Sequence, residues 1–414
     1  MIVRKKSNAQ RQGVGGSVII AVILTGCGSS PSSDQPLETP PPPLTGWAAV
    51  RASAQPHVAV SDFDVPVVQA IAGDAWEDGI CISRDGLSLY ATYVPADLLS
   101  FVMAGGDQTH AADYLRGPTL GMDLHTNPVG MTTWIHGNIV YAQRASTTIP
   151  FAPWQLTAMA RPTWSEGGAQ PYGTSTATWN LFAYTTNEHA PDYKAHICIA
   201  RNAAHNPTTL ASLLPAPVTT STSEDNPHVE RVDASHLVLF FDSDDRPGAS
   251  GAHDLWWTTS ADDGATWAVP APVTSLNSST EEEQPHLFQD GGTWRLYFTA
   301  TNPADGKLGI YRATQTTPGD WNSWGTRQLV IGAGNTAGVG EPTLTSYGDL
   351  SFVTVIQDPR GPATNRFDAD PWLAARRPTA IGLVPKTLPA LSASRGNSAH
   401  QLSLVEVKIQ MPIE

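Results

Sequence analysis

Acidic side chains recur in short clusters that could do chemistry. Glu77-Asp78, Glu224-Asp225, Glu282-Glu283 and Glu341 each open a similar stretch, and His228 and His286 follow at matching places in two of them. Carboxylates gathered in one place suit two kinds of work. They can hold a hard cation, Ca2+ being the ion that such oxygen ligands fit, or they can form a paired-carboxylate acid/base site in which crowding raises proton affinity. The two histidines suit a ligand pocket. A third reading is structural: each carboxylate binds backbone N–H groups or a neighbouring unit and keeps the units in register. Glu77, Asp78, Glu224, Asp225, His228, Glu282, Glu283, His286 and Glu341 are therefore the candidate ligand-binding residues, with Glu224 and Glu283 the candidates for catalysis.

These residues must be positioned by a repeat. Pro227 and Pro285 stand 58 positions apart, and Pro342 follows Pro285 by 57. Each opening leads to β-rich runs such as Leu237-Val238-Leu239-Phe240-Phe241 and Trp294-Arg295-Leu296-Tyr297-Phe298, separated by polar turns. β-branched and aromatic runs between Gly, Asp and Pro turns predict small antiparallel sheets. Such a sheet cannot cover both its faces alone, so copies must stack. Four-stranded blades around a central channel meet that need. An all-β propeller is thus expected. Six units are countable, or five if the weakly marked unit at Met131–Trp134 and Asn138–Tyr141 merges with a neighbour. The third unit is expected to begin at Arg161-Pro162. Val405, Val407, Ile409 and Met411 alternate with polar residues, which predicts a final half-buried strand that closes the ring.

The 414 residues carry a formal charge of −14, and 41% are hydrophobic, enough for a core. Nucleic acid and anionic lipid would be repelled. Cys/His zinc spacing, a phosphate-binding glycine loop and a Gly-x-Ser-x-Gly elbow are all missing. Cys81 and Cys198 lie in apolar runs and are expected to be buried thiols.

The first residues read as an address. A basic segment with Arg4, Lys5, Lys6 and Arg11 precedes an apolar run, Val18–Leu24, too short to span a bilayer. Leu24-Thr25-Gly26-Cys27 resembles a bacterial lipobox. That resemblance implies cleavage after residue 26 and lipidation of Cys27, and Gly28 at the next position resembles the outer-membrane sorting pattern. Residues 27–45, rich in Ser and Pro, read as a tether, and 46–414 as the propeller.

Further resemblances concern the repeats. Glu77-Asp78, an apolar strand, Ser83-Arg84-Asp85-Gly86 and Leu89-Tyr90 resemble the TolB-type PD40 propeller repeat. Ser260-Ala261-Asp262-Asp263-Gly264-Ala265-Thr266-Trp267 resembles the Asp-box of sialidases, with Ser260, Asp262, Gly264, Thr266 and Trp267 at its defined positions. The box implies a hairpin cap on a propeller rim, away from any active site. Sialidase chemistry would need an arginine triad, and Arg161-Pro162 matches only part of its signature. Arabinanase-type five-bladed glycosidases resemble the architecture, which implies two Asp and a Glu on inner strands; Asp62 or Asp64 with Glu224 and Glu283 would be their counterparts. The expected protein is a single-copy, lipid-anchored binding or scaffold protein of the cell envelope, taking a partner protein, a glycan or a cation at an acidic channel mouth. The alternative is a glycoside hydrolase.

Overall fold

The computed structural model describes residues 47–377, apart from 95–96, 98, 100–136, 161–163, 174–177, 188–193, 209–210, 245 and 360–365. The Cys27 region, Met131–Trp134 and the alternating strand at 405–411 lie outside the described residues. A short helix, α1 (Trp47–Ser53), and two two-residue strands, β1 (His57–Val58) and β2 (Val67–Val68), come first.

Five antiparallel sheets follow, so the ring has five blades, not six. Blade 1 is β3 (Trp76–Ile82), β4 (Ser88–Val94), β5 (Asn138–Gln143) and β6 (Gln155–Leu156). Asn138–Tyr141, expected to belong to a unit of its own, is the third strand of this blade. A long β4–β5 connection separated it from its partners in sequence. Blade 2 is β7 (Glu166–Tyr172), β8 (Thr178–Thr186) and β9 (His196–Ala204). Its inner strand starts at Glu166, past the expected Arg161-Pro162. Gly167-Gly168-Ala169 are poor strand formers, and that hid it. Blade 3 is β10 (Glu224–Arg231), β11 (Leu237–Asp244), β12 (His253–Ser260) and β13 (Ala271–Pro272). Blade 4 is β14 (Glu282–Asp290), β15 (Thr293–Thr301), β16 (Leu308–Thr314) and β17 (Gln328–Gly332), extended by β1. Blade 5 is β18 (Gly338–Leu344), β19 (Leu350–Gln357) and β20 (Phe367–Ala374), with β2 as its outer strand. The outer position of the last blade is thus filled from the N-terminal side, Val67 pairing Leu373 and Val68 pairing Trp372.

Apolar cores lie between blades. Val238, Phe240 and Leu255 of blade 3 pack with Leu287, Leu296 and Phe298 of blade 4. Tyr297 and Ile310 of blade 4 pack with Val339, Leu350 and Phe352 of blade 5. Strand alternation explains this, since one face of each sheet meets the blade before and the other the blade after. The Asp262 carboxylate closes the β12–β13 turn, accepting from Thr266 N (2.9 Å), Thr266 Oγ1 (2.6 Å) and Ser260 Oγ (2.7 Å). Gly264 turns there at φ 83°, and Trp267 is buried over the hairpin. Cys81 and Cys198 are buried thiols.

Candidate functional site at the channel mouth

All five inner strands break register near their start. The pairing slips between Asp78 and Cys81, Gly167 and Gln170, Asp225 and His228, Glu283 and His286, and Gly340 and Thr343. At each slip one residue takes a left-handed conformation: Gly79, Gly168, Asn226, Gln284 and Glu341, with φ between 50° and 59°. This is a β-bulge used five times. It places three kinds of side chain around the channel: those before the bulge, those on it and those after it.

The residue two before the bulge is Glu in four blades. Glu77 accepts from Gly73 N at 3.1 Å; Glu224 from Thr220 N at 3.1 Å, with Arg246 at 3.2 Å and His196 at 2.8 Å; Glu282 from Ser278 N at 2.6 Å, with Arg327 at 2.7 Å. Each closes the turn that leads into its own inner strand. Glu166 occupies the same position in blade 2 and is fully buried. In blade 5 the position belongs to Val339.

The residue immediately before the bulge behaves differently. Asp78, Asp225 and Glu283 occupy it in blades 1, 3 and 4, while Gly167 and Gly340 occupy it in blades 2 and 5. Asp78 Oδ2 accepts from Trp76 Nε1 at 2.6 Å, but Oδ1 has no hydrogen-bond partner among the described residues. Asp225 Oδ1 accepts from Thr185 Oγ1 and Asn226 N, both at 2.8 Å. Glu283 makes no hydrogen bond to any described residue. Burial, then the neighbouring Asp225 charge, pushes Asp78 well above the usual carboxylate range. Burial and Asp242 push Asp225 up to about 7. Burial likewise drives Glu283 well up, partly offset by His253.

Glu341, expected alongside the opening carboxylates, stands instead on the bulge. The match of Pro342 to Pro285 aligns it with Gln284. Its Oε2 accepts from Ile80 N at 3.1 Å in blade 1, its Oε1 from Gln284 Nε2 at 3.2 Å in blade 4. Gln284 N in turn donates to Asp242 Oδ2 at 2.7 Å. The bulge side chains of blades 4 and 5 therefore stitch blade to blade. Asp62 and Asp64 lie away from this ring, paired with Arg312 and Arg377.

Two residues past the bulge come Cys81, Gln170, His228, His286 and Thr343. They line a small cavity inside the channel that is open to solvent. Three of them reach the next blade's backbone: Gln170 Oε1 takes Val229 N (3.0 Å), His286 Nε2 takes Leu344 N (3.1 Å) and Thr343 Oγ1 takes Ile82 N (2.8 Å). The His228 and His286 rings meet edge to face with centroids 4.3 Å apart. Burial pushes His228 down to about 3 and His286 well below its usual value, so both are neutral and can accept. Of the two expected ligand-facing histidines, His286 thus also holds blades together, while neither ring nitrogen of His228 has a hydrogen-bond partner among the described residues.

Sequence reasoning missed Glu166, Asp242 and His253. Asp242 ends a strand run and gave no sign that it would reach the mouth; His253 sits before an apolar strand like any turn residue. Among the described residues no group of three or more His, Cys, Asp or Glu side chains is arranged to hold a metal ion, and no helix is long and apolar enough to cross a membrane.

No protein-family model matches the chain, and no curated protein matches it. Solved structures with a similar fold include an α-L-arabinofuranosidase from Podospora anserina (12% identity, 78% of this chain and 98% of that chain, TM-score 0.43). Others are an endo-arabinase from Bacteroides thetaiotaomicron (12% identity, 78% and 99%, TM-score 0.44) and the NanB sialidase from Streptococcus pneumoniae (10% identity, 59% and 36%, TM-score 0.36). The likeness is one of fold, and the five-bladed propeller rests on the strand pairing itself.

Proposed function

We propose that the protein is a glycoside hydrolase of the cell envelope whose acid/base groups are Glu283, Asp225 and Asp78. The observation that carries this is the division between neighbouring acidic positions. Glu77, Glu224 and Glu282 are consumed by turn and ion-pair contacts. Asp78 and Glu283 keep carboxyl oxygens that no described residue bonds, and all three residues before the bulge hold their protons unusually well. Glycosidic cleavage needs one carboxylic acid to protonate the leaving oxygen and one carboxylate to attack or to activate water. Glu283, pushed well above the usual carboxylate range by burial and bonded to no described residue, suits the acid. Asp78 and Asp225 repel each other's ionisation, and Asp225 titrates near neutrality, so this pair supplies the carboxylate. The −14 charge favours a neutral glycan over an anionic one.

The test is release of reducing ends from a panel of neutral oligosaccharides. Glu283→Gln should lower turnover by about 10²–10⁴-fold, the share that general acid catalysis contributes, while leaving the melting temperature intact. A second reading, a non-catalytic binding protein at the same mouth, is favoured by how little these carboxylates are exposed: 1% for Asp78, 9% for Asp225 and 4% for Glu283. Glycan binding that persists unchanged in Glu283→Gln, with no turnover by the wild type, would select it.

The envelope location rests on the Leu24-Thr25-Gly26-Cys27 signature and the Pro/Ser-rich tether. Cys27→Ser should move the protein from the membrane fraction to the soluble one; retention in the membrane would sink the anchor.

A further inference from the structure

The residue paired across from each pre-bulge position comes from the second strand of the same blade. It is Thr92 in blade 1, Thr185 in blade 2, Asp242 in blade 3, Thr299 in blade 4 and Val353 in blade 5. In blades 1, 3 and 4 this side chain takes the bulge N–H of the next blade. Thr92 Oγ1 accepts from Gly168 N at 3.2 Å, Asp242 Oδ2 from Gln284 N at 2.7 Å and Thr299 Oγ1 from Glu341 N at 2.9 Å. A hydroxyl is therefore enough to join blades, and blade 3 alone places a carboxylate there. That carboxylate is wholly buried and stands directly across from Asp225, where like charges are destabilising. Local rules of this kind are broken at functional sites.

Asn226 ties the two carboxylates together. Its N donates to Asp225 Oδ1 at 2.8 Å and its Nδ2 to Asp242 Oδ2 at 2.7 Å. Thr185 Oγ1 also donates to Asp225 Oδ1, at 2.8 Å. Asp225 Oδ2 has no hydrogen bond to a described residue, so the proton belongs on that oxygen. We propose that Asp242 is a positioning residue for Asp225: held to it through Asn226, it fixes Oδ2 as the reacting oxygen and opposes that oxygen's ionisation with a like charge. This rests on the hydrolase reading above. A carboxyl that ionises close to the working pH is the better proton acceptor once it has ionised. After burial, Asp242 is the strongest influence on Asp225, and it acts in the same direction. Other charged groups surround Asp225. Asp78 on β3 and Glu283 on β14 are like charges. Glu166 begins β7, and Asp244 on β11 accepts from Ser223 N at 3.0 Å. On the same strand as Asp225, Glu224 bonds Arg246 and His196 of β9, and Glu230 bonds Arg84. His253 on β12, with Nδ1 3.8 Å from Asp242 Oδ1, acts against the carboxylates but more weakly than Asp242.

The test compares the wild type with Asp242→Thr, which copies Thr92 and Thr299, and Asp242→Asn, which keeps the shape. Both remove the charge and keep an oxygen for Gln284 N. The Asp225 carboxyl is followed by carbon NMR in the intact protein, its signal assigned by its loss in Asp225→Asn. In both variants its titration midpoint should fall by about one to two pH units, the effect of removing a nearby like charge. The acid limb of the kcat/KM profile, where Asp225 must lose its proton to act, should move down with it. A role in joining blades alone would lower the melting temperature and leave the midpoint in place. A midpoint that does not move in Asp242→Asn overturns the proposal, whether or not glycans are cleaved and whether or not Asp242→Thr folds. A midpoint that falls in a protein that cleaves no glycan leaves the Asp242–Asp225 coupling standing and removes the hydrolase reading instead.

Discussion

Glu282 and Glu283 are adjacent and chemically alike, but they do different work. Successive side chains on a strand point to opposite faces. Glu282 turns toward its own blade's entry loop and meets Ser278 and Arg327; Glu283 turns toward the mouth. The same division holds at Glu224 and Asp225. Replacing Glu224 by Gln should therefore unfold the protein more easily. It leaves the buried Arg246 guanidinium with the Val218 and Pro217 carbonyls but no counter-charge, and loss of one partner of a buried pair costs about 3–5 kcal/mol. Glu283→Gln, which breaks no hydrogen bond to a described residue, should leave stability unchanged or raise it. Denaturant titration of the two variants checks the contrast. The sequence shows these acidic pairs plainly. Which member faces the mouth depends on strand phase at the bulge, and the residue types do not state it.

At the scale of the element, the bulge is the device that builds the site. It demands a residue that tolerates positive φ, and the five blades supply Gly, Gly, Asn, Gln and Glu. Proline follows in blades 3, 4 and 5, where the slip in pairing frees a position from donating to the ladder. Those prolines make the repeat readable. Ile80 and Ala169 take their place in blades 1 and 2, and the inner strand of blade 2 accordingly escaped notice although its unit was expected from Arg161-Pro162. The glycines are not equivalent. A Cβ on Gly79 would fall 2.1 Å from Thr92 Oγ1, whereas on Gly168 it would meet nothing nearer than 3.4 Å. Gly79→Ala should then cost at least the roughly 1–3 kcal/mol of backbone strain at such a position. Gly168→Asn, which copies Asn226, should cost less than about 1 kcal/mol, because Asn visits the left-handed region readily. Thermal melts of both variants decide the point.

The whole molecule carries many carboxylates that prefer to stay protonated. Asp78, Asp225, Glu283 and Glu341 all have folded-state proton affinities raised first by burial. A raised carboxyl contributes stability that is complete below its unfolded value and is lost as pH rises through its folded value. His228 and His286 are depressed, so their contribution grows as pH rises and is complete above about 6.5, the unfolded histidine value. His253 is raised and loses its contribution between about 6.5 and 10. From pH 7 to pH 9 all these groups that still titrate act in one direction. The melting temperature should fall across that window as Asp225 and then His253 lose their protons, and the fall should be shallower in His253→Gln. A flat or rising profile would contradict the buried-carboxylate account.

Local signals in the sequence determined that this is a propeller, where its blades 3 to 5 begin and that acidic pairs open blades 3 and 4. Hydrophobic alternation, turn residues and the 57- to 58-residue period are properties of neighbouring positions, and they survive in a linear string. The number of blades, the outer strand taken from Val67-Val68, the offset of Glu341 and the meeting of the His228 and His286 rings belong to the tertiary structure. Each depends on contacts between residues far apart in the chain and on which face a one-residue bulge turns toward the channel. A single slip in register reverses that face, and only the packed ring of blades settles it.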